Sequence, residues 1–520
     1  MKTLTVTKKY LVFPINNSLP PKRLSFRKDG EEVYYLDLRL DNVAPDFEAW
    51  IDVSRFAGEE LTLMLDKEMP LSFREEETMD LPGIYDEPLR PQVHFSTKIG
   101  WNNDPNGLTY LNGTYHMFYQ HNPGDKMWGN MHWGYATSTD LIHWEEQGDT
   151  IFPDRYGAIF SGSGFVDEKN VLGLQTGEIP TLVFYYTATD PFSQHMYVST
   201  DGGKTLRPYR NGPVIPHIIG SNRDPKITYV AELDAYVLAL YLDGETYALF
   251  SSQNLVDWKE FQRIDIPGDN ECPDIFCLNN DRGERRWILI GAHDKYFVGE
   301  FTDGKFQPLQ PVQSLSYGRS SYAAQSFSHL PNGRNIRVAW LRWMDISGKN
   351  FSQQMGIPTE LTLECVNGLE YLCLTPVKEL ETLYISNHRE ENLALTAGNP
   401  YILPVGDHPV HFTLEIDPVP AGKLTVGWFG REFTCDFAEN QMTLGEAKDK
   451  LSIDRSKLRL NVVIDRCSIE IFSDGGKIGY VNTDSNTICD RNLPYLTLTA
   501  DKDLTVTDFT VHTLKSIWQK

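Results

Sequence analysis

The chain has 520 residues, 41% hydrophobic and 12% aromatic, with 48 basic against 71 acidic side chains. That length exceeds one ordinary core and points to about three domains. The net charge of −23 opposes binding to nucleic acid or an anionic membrane surface and suits a neutral substrate.

Seven cysteines show neither Cys-x-x-Cys pairs nor the Cys/His spacing of a zinc site. An odd count reads as reduced thiols. The N-terminal stretch lacks the long apolar core of a signal peptide, and no apolar run approaches membrane-span length. Cytoplasmic residence is the expectation.

Residues 1–90 read as a small β module. Tyr10–Ile15, Glu32–Leu40, Phe47–Val53 and Leu61–Leu65 are short runs of aromatic and branched residues. Arg74–Thr78 is expected to be a charged connector, with Pro82-Gly83 and Pro88 to Pro91 marking the exit.

Residues 91–383 are strand after strand with almost no helical periodicity. The region opens on Trp101-Asn102-Asn103-Asp104-Pro105-Asn106-Gly107, whose turn chemistry places Asp104 where a strand meets a loop. Asp104 is then either an Asx-turn aspartate or a group held for chemistry. The strands Thr114–His121, Thr181–Thr189, Tyr236–Leu242, Arg286–Ala292 and Ile336–Trp343 follow. Ser-x-Asp/Asn turns begin at 138, 199 and 252, steps of 61 and 53 residues, close to the length of a four-stranded propeller blade. The alternative is three unrelated hairpin turns. Distinctive polar turns fall on the same beat: Asp104, Phe160-Ser161-Gly162-Ser163, Arg223-Asp224-Pro225, Glu271-Cys272-Pro273-Asp274 and Tyr322-Ala323-Ala324-Gln325. One such turn per blade predicts a five-bladed β-propeller whose turns converge on an axial cavity.

A short helix near Val377–Leu383 is expected to lead out. Residues 384–520 return to short alternating strands, Val410–Ile416, Leu424–Phe429, Leu458–Val463, Ser468–Phe472 and Leu496–Thr499, with Asp474-Gly475-Gly476 as a hairpin turn. This predicts a C-terminal β-sandwich. The whole chain is expected to be all-β.

The motifs at 101–107, Tyr119–Pro123, Trp128–Gly134, Arg223–Pro225 and Glu271–Asp274, with Asp465–Phe472 further on, resemble those of glycoside hydrolase family 32, the β-fructosidases. The resemblance implies cleavage of β-fructofuranosidic bonds of levan, inulin or sucrose through a covalent fructosyl-enzyme. Such a retaining reaction uses one ionised carboxylate as nucleophile and one protonated acid, about 5 Å apart, and so close a pair pushes one pKa upward. By resemblance Asp104 is the nucleophile, Glu271 the acid/base and Asp224 a third carboxylate that stabilises the transition state beside Arg223. Substrate contacts are expected from Asn103, Gln120, Trp128, Phe160, Ser161, Arg223 and Tyr322, since sugars offer apolar faces and hydroxyl edges. Trp128 alternatively reads as a core residue, Cys272 as either tuning the acid or merely packing, and His132 as structural.

Arg319-Ser320-Ser321 and Thr359 depart from the family pattern and put substrate length in doubt. The N-terminal module resembles those of some levan- or inulin-active members; its role is packing or a second sugar-contacting surface. No metal or cofactor is implied, and the expected partner is a fructan or fructosyl-oligosaccharide, bound by a monomer or homodimer. A fructosyltransferase with the same two carboxylates and an inactive fructan-binding protein are the alternative readings.

Overall fold

The computed structural model describes residues 1–66, 70–342, 350–483 and 492–518. Trp343, at the end of one predicted strand, and Cys489 lie outside these. The described residues form β-strands joined by turns, and their helical turns are short 3-10 segments, among them Lys378–Leu383 at the predicted exit.

The first 76 residues form two small sheets over one apolar core that includes Phe13, Phe26, Leu36 and Ile51. Lys2–Thr5, Glu60–Leu65, Lys22–Lys28 and Glu31–Leu38 lie in that spatial order; Phe47–Asp52, Tyr10–Ile15 and Arg74–Glu76 make the second sheet. Arg74–Glu76 is therefore a paired edge strand, not a connector. Arg74 donates to both oxygens of Glu48 at 2.6 and 2.7 Å, and such charge on an edge discourages further pairing.

Five antiparallel sheets follow in chain order. They begin with Gly100–Leu111, Ile159–Asp167, Arg223–Val230, Asp274–Asn279 and Ser321–Ser326. Sequence explains the layering within each sheet. Thr181–Thr189 is an almost unbroken apolar and aromatic run and is buried along its length, as a strand covered on both faces must be. The last strands, Glu145–Ile151 and Lys259–Asp265, are charged and only partly covered. The turns starting at Ser138, Ser199 and Ser252 occupy the same place, between the third and fourth strands of the first three sheets. In each, the serine hydroxyl donates to Asp140, Asp201 or Asn254, at 3.0, 2.8 and 3.2 Å.

The leading strands of successive sheets contact one another, and Ser321–Ser326 of the fifth returns to Gly100–Leu111 of the first. Side chains join them. Asn106 Oδ1 accepts the Gly162 amide at 3.0 Å, Ser163 Oγ donates to the Pro225 carbonyl at 2.8 Å, and buried Lys226 reaches Asp274 at 3.1 Å and the Ser326 carbonyl at 2.6 Å. Gly162 is required here, because a Cβ would lie 1.9 Å from the Tyr185 carbonyl oxygen. A further strand, Phe351–Ser352, crosses from the fifth sheet to pair in parallel with Gly100–Trp101.

Asp104 does not sit at a strand end. Gly100–Leu111 runs through it, and Asp104 occupies a bulge between paired Asn103 and Pro105. Three of the other four leading strands carry equivalent irregularities, at Phe160/Gly162, Arg223/Lys226 and Tyr322/Gln325, whereas Asp274–Asn279 pairs in unbroken register. A bulge re-aims a side chain without ending the strand, which is why turn-like residues appear inside strands here.

Residues 388–513 supply two six-stranded sheets that share one core, including Phe412, Trp428, Phe433 and Ile471. Burial of each such side chain stabilises the fold by about 2–3 kcal/mol. They are anchored to residues 92–94 by the Asp465–Glu470 hairpin. Asp465 accepts the amides of Gln92 and Val93 at 2.8 Å, and His94 lies between Asp465 and Glu470 at 2.8 Å from each.

Candidate active site

The leading strands and the turns that enter them open into one hollow of about 480 Å³, mouth included. It is lined by Asn103, Asp104, Gln120, Trp128, Phe160, Ser161, Arg223, Asp224, Glu271 and Tyr322, so the structure brings together every site residue named from sequence. Met131 and Trp340 line it as well. Met131 falls within a quoted motif but carried no chemical signal, and Trp340 reads as an ordinary strand aromatic.

Asp104 and Asp224 meet at the Cys272 thiol. Ser161 Oγ donates to Asp104 Oδ2 at 2.6 Å, whereas buried Asp104 Oδ1 has no hydrogen-bond partner among the described residues. The Cys272 thiol lies 3.4 Å from Asp224 Oδ2 and 3.6 Å from Asp104 Oδ2, and the Cys272 amide donates to Asp224 at 3.0 Å. Burial raises the Asp104 pKa, opposed by the Ser161 and Asn103 hydrogen bonds and assisted by Glu271. Burial also pushes Asp224 up to about 7, with Arg223 opposing and Glu271 adding to the rise. The same burial, and the surrounding carboxylates, keep the Cys272 thiol protonated.

Glu271 also lines the hollow and behaves differently. Burial raises its pKa, but hydrogen bonds from the Tyr322 hydroxyl and the Arg223 guanidinium outweigh it, and the net direction is down. Asp224, Glu271 and Cys272 all hold positive φ, at 65°, 59° and 35°. Backbone strain of this kind is stored where side chains must be aimed.

Trp128 stands at the mouth, 58% exposed and edge-on to Phe160 at 6.0 Å; it is not a core residue. Gln120 Nε2 and Trp340 Nε1 line the hollow without hydrogen-bond partners among the described residues. With Asp104 Oδ1 they present two donors and an acceptor, a set that suits a polyhydroxylated ligand. His132 is buried against Tyr34 Oη at 2.7 Å, and burial lowers its pKa to about 4. It is not among the residues that line the hollow.

Arg319, Ser320 and Thr359 do not line the hollow either. Arg319 pairs with Glu446 at 3.7 Å, Ser320 Oγ meets Thr483 Oγ1 at 2.9 Å, and Thr359 is buried within the fifth sheet. A larger cleft of about 730 Å³ separates the N-terminal sheets from the first sheet. Its carboxylate Glu146 is committed to Thr97 Oγ1, the Lys98 amide and Tyr119 Oη, at 2.9, 2.7 and 3.0 Å.

Among the described residues no cluster of three His, Cys, Asp or Glu could hold a metal ion, and no helix is long and apolar enough to cross a membrane.

The family model described as Glycosyl hydrolases family 32 N-terminal domain matches residues 94–376. A levanase of Bacillus subtilis is 33% identical over 498 residues, covering 84% of this chain and 72% of that protein. An extracellular exo-inulinase of Aspergillus niger is 28% identical, covering 76% and 89%. In fold, the chain is similar to the exo-inulinase of Aspergillus awamori (TM-score 0.73, 24% identity, covering 84% of this chain and 100% of that one). It is also similar to a Schwanniomyces occidentalis β-fructofuranosidase complexed with fructosyl-erythritol (TM-score 0.74, 21% identity, the same coverage). With a family model over more than half its length and these relatives, the chain belongs to glycosyl hydrolase family 32.

Proposed function

We propose that the chain is a retaining β-fructosidase that releases fructose from fructans or sucrose. Its five successive sheets are read as the blades of a five-bladed β-propeller (91–383), preceded by a β module (1–90) and followed by a β-sandwich (384–520). Support for the propeller comes from the closed circuit of leading strands and the equivalent turns between third and fourth strands. Support for the substrate class comes from the levanase and exo-inulinase relatives. The observation that carries the reading is the convergence of Asp104 and Asp224, from two different sheets, and Glu271, from the turn that enters a third, on one hollow in which Asp104 Oδ1 is unpartnered.

Asp104 Oδ1 attacks the anomeric carbon of the fructosyl unit while Glu271 gives its proton to the departing glycosidic oxygen. One carbon–oxygen bond breaks and an ester to Asp104 forms. Water then gives a proton to Glu271, its oxygen bonds the anomeric carbon, and Asp104 is released. Asp224 and Arg223 hold the sugar hydroxyls. The free-enzyme electrostatics bear on the first step: Glu271 must carry a proton, yet Arg223 and Tyr322 favour its anion. The reading therefore requires the entering glycosidic oxygen to loosen these contacts, and places the protonated Glu271 form in the minority before substrate binds.

Purified wild type, Asp104→Asn and Glu271→Gln incubated with sucrose, inulin and levan test the reading. The wild type is expected to release free fructose, and each variant to lose turnover by about three orders of magnitude or more. Near-normal turnover in either variant rejects the roles. Oligomers longer than the substrate, in place of fructose, identify transfer to a sugar hydroxyl. Fructan binding without reducing-sugar release identifies a binding protein.

A further inference from the structure

The strands Thr114–Asn122 and His132–Ser138 are joined by residues 123–131, longer than the two to five residues of an ordinary hairpin connection. This segment carries Trp128 and Met131 to the hollow. Its outward side lies against the N-terminal sheets. Asp125, 3% exposed, accepts Arg39 Nε at 2.8 Å and also the Asn17 amide. From inside the segment it accepts the Met127 amide at 3.2 Å. Asn130 Oδ1 accepts the Asp37 amide at 2.7 Å, and Asn130 Nδ2 donates to the Asp37 carbonyl at 3.0 Å and to Asn122 Oδ1 at 3.1 Å. Asp37 lies on Glu31–Leu38, an outer strand of its sheet, so the Asn130 amide satisfies edge groups that would otherwise need water or another strand. Leu38 closes over Gly124, where a Cβ would fall 2.6 Å from Leu38 Cδ2.

We infer that the N-terminal sheets set the substrate-binding rim: Arg39 and Asp125 are positioning residues that hold the 123–131 segment, and with it Trp128, over the hollow. The inference rests on the fructosidase reading for what the rim receives. The reasoning is energetic. A buried carboxylate is costly unless paired, so Asp125 stays inside only while Arg39 meets it, and Asp125 in turn fixes the amide one residue before Trp128. Met127 is held a second time, its carbonyl accepting Asn122 Nδ2 at 2.8 Å. An exposed tryptophan pays rotamer and backbone entropy on binding a sugar unless the chain beneath it is already ordered. Pre-ordering of this kind contributes to substrate affinity and not to the bond-breaking step, because Arg39 touches no reacting atom. Arg39 lies outside residues 94–376 and Asp125 inside them, so the pairing ties the family-matched region to a part of the chain that the match does not include.

Full-length wild type, Arg39→Ala, Arg39→Lys and Asp125→Asn are compared with sucrose and inulin, with amide hydrogen exchange of residues 122–131 recorded alongside. Arg39→Ala is expected to raise KM about 5–20-fold with kcat within about 2-fold, and to quicken exchange at Met127. Arg39→Lys, which keeps a cation in reach, is expected to recover most of the loss; isosteric Asp125→Asn, which keeps the acceptor oxygen, to raise KM about 2–5-fold. Unchanged KM and exchange in Arg39→Ala and Asp125→Asn overturn the inference, as does a fall in kcat at constant KM. Wild type that releases no fructose overturns the functional reading instead. In that case quickened exchange in Arg39→Ala still supports the positioning role, and unaltered exchange rejects it.

Discussion

Where residues 92–94 meet the C-terminal sheets, Asp465 and Glu470 each lie 2.8 Å from a ring nitrogen of His94. In the hollow, Asp104 and Asp224 flank the Cys272 thiol at 3.6 and 3.4 Å. Both places bury two acids around a small central group, yet they settle differently. Burial lowers the His94 pKa, but the two carboxylates outweigh it and push the imidazole up to about 9; Asp465, despite its own burial, is held below the usual carboxylate range by His94 and the Gln92 and Val93 amides. The hollow has a thiol in the middle, and burial raises both Asp104 and Asp224; Arg223, shared between Glu271 and Asp224 (3.7 Å), opposes the rise of Asp224 without cancelling it. A protonated ring between two acids makes a joint. A neutral thiol between two acids leaves charge uncompensated, and that is where a substrate developing positive charge gains most.

The largest effect should come from removing charge on the uncompensated side. Asp104→Asn is expected to lose activity by about three orders of magnitude or more while raising the midpoint of urea unfolding at neutral pH, because a costly buried anion is gone. A lowered midpoint would break the contrast. On the compensated side, His94→Gln leaves two buried carboxylates without their cation and is expected to cost about 3–5 kcal/mol of stability, read from urea unfolding, with kcat per folded molecule unchanged.

The third expectation concerns pH. His94 is raised in the folded chain, from 6.5 to about 9, so the native state binds the extra proton. Its contribution is fully present below about pH 6.5 and is lost as pH rises through about 9. Asp224, raised from 3.8 to about 7, also makes the native state bind more protons, but over the more acidic interval, where stability likewise falls as pH rises. Unfolding midpoints measured from pH 6.5 to 9.5 should decline in the wild type and flatten in His94→Gln. The smallest effect is kinetic. Tyr322→Phe removes a hydrogen bond that favours the Glu271 anion, so the limb of the kcat/KM–pH profile that reports Glu271 should move upward.

Much of this was legible from the chain alone, for a physical reason. Asp104, Ser161, Asp224 and Glu271 lie in local motifs whose proline, glycine and asparagine neighbours mark unusual backbone, and their spacing repeats with the sheets. What those motifs do not reveal is whether the unusual backbone ends a strand or bulges within it, since that depends on the partner strand; sequence alone therefore puts Asp104 at a strand end. Trp340 carries no local mark, being one aromatic in an apolar run. Arg39 and Asp125 lie 86 residues apart, and His94 meets Asp465 across 371. Pairings of this kind are decided by the assembled fold and leave nothing periodic in the sequence.

The parallel pairing of Phe351–Ser352 with Gly100–Trp101 has a consequence for biosynthesis. The strand bearing Asp104 emerges from the ribosome some 250 residues before the strand that pairs with its free side. At ordinary elongation rates that interval lasts about 12–50 s. During it the nascent first sheet presents an open hydrogen-bonding border, the segment on which chaperone attention, or misassembly with another copy, would concentrate.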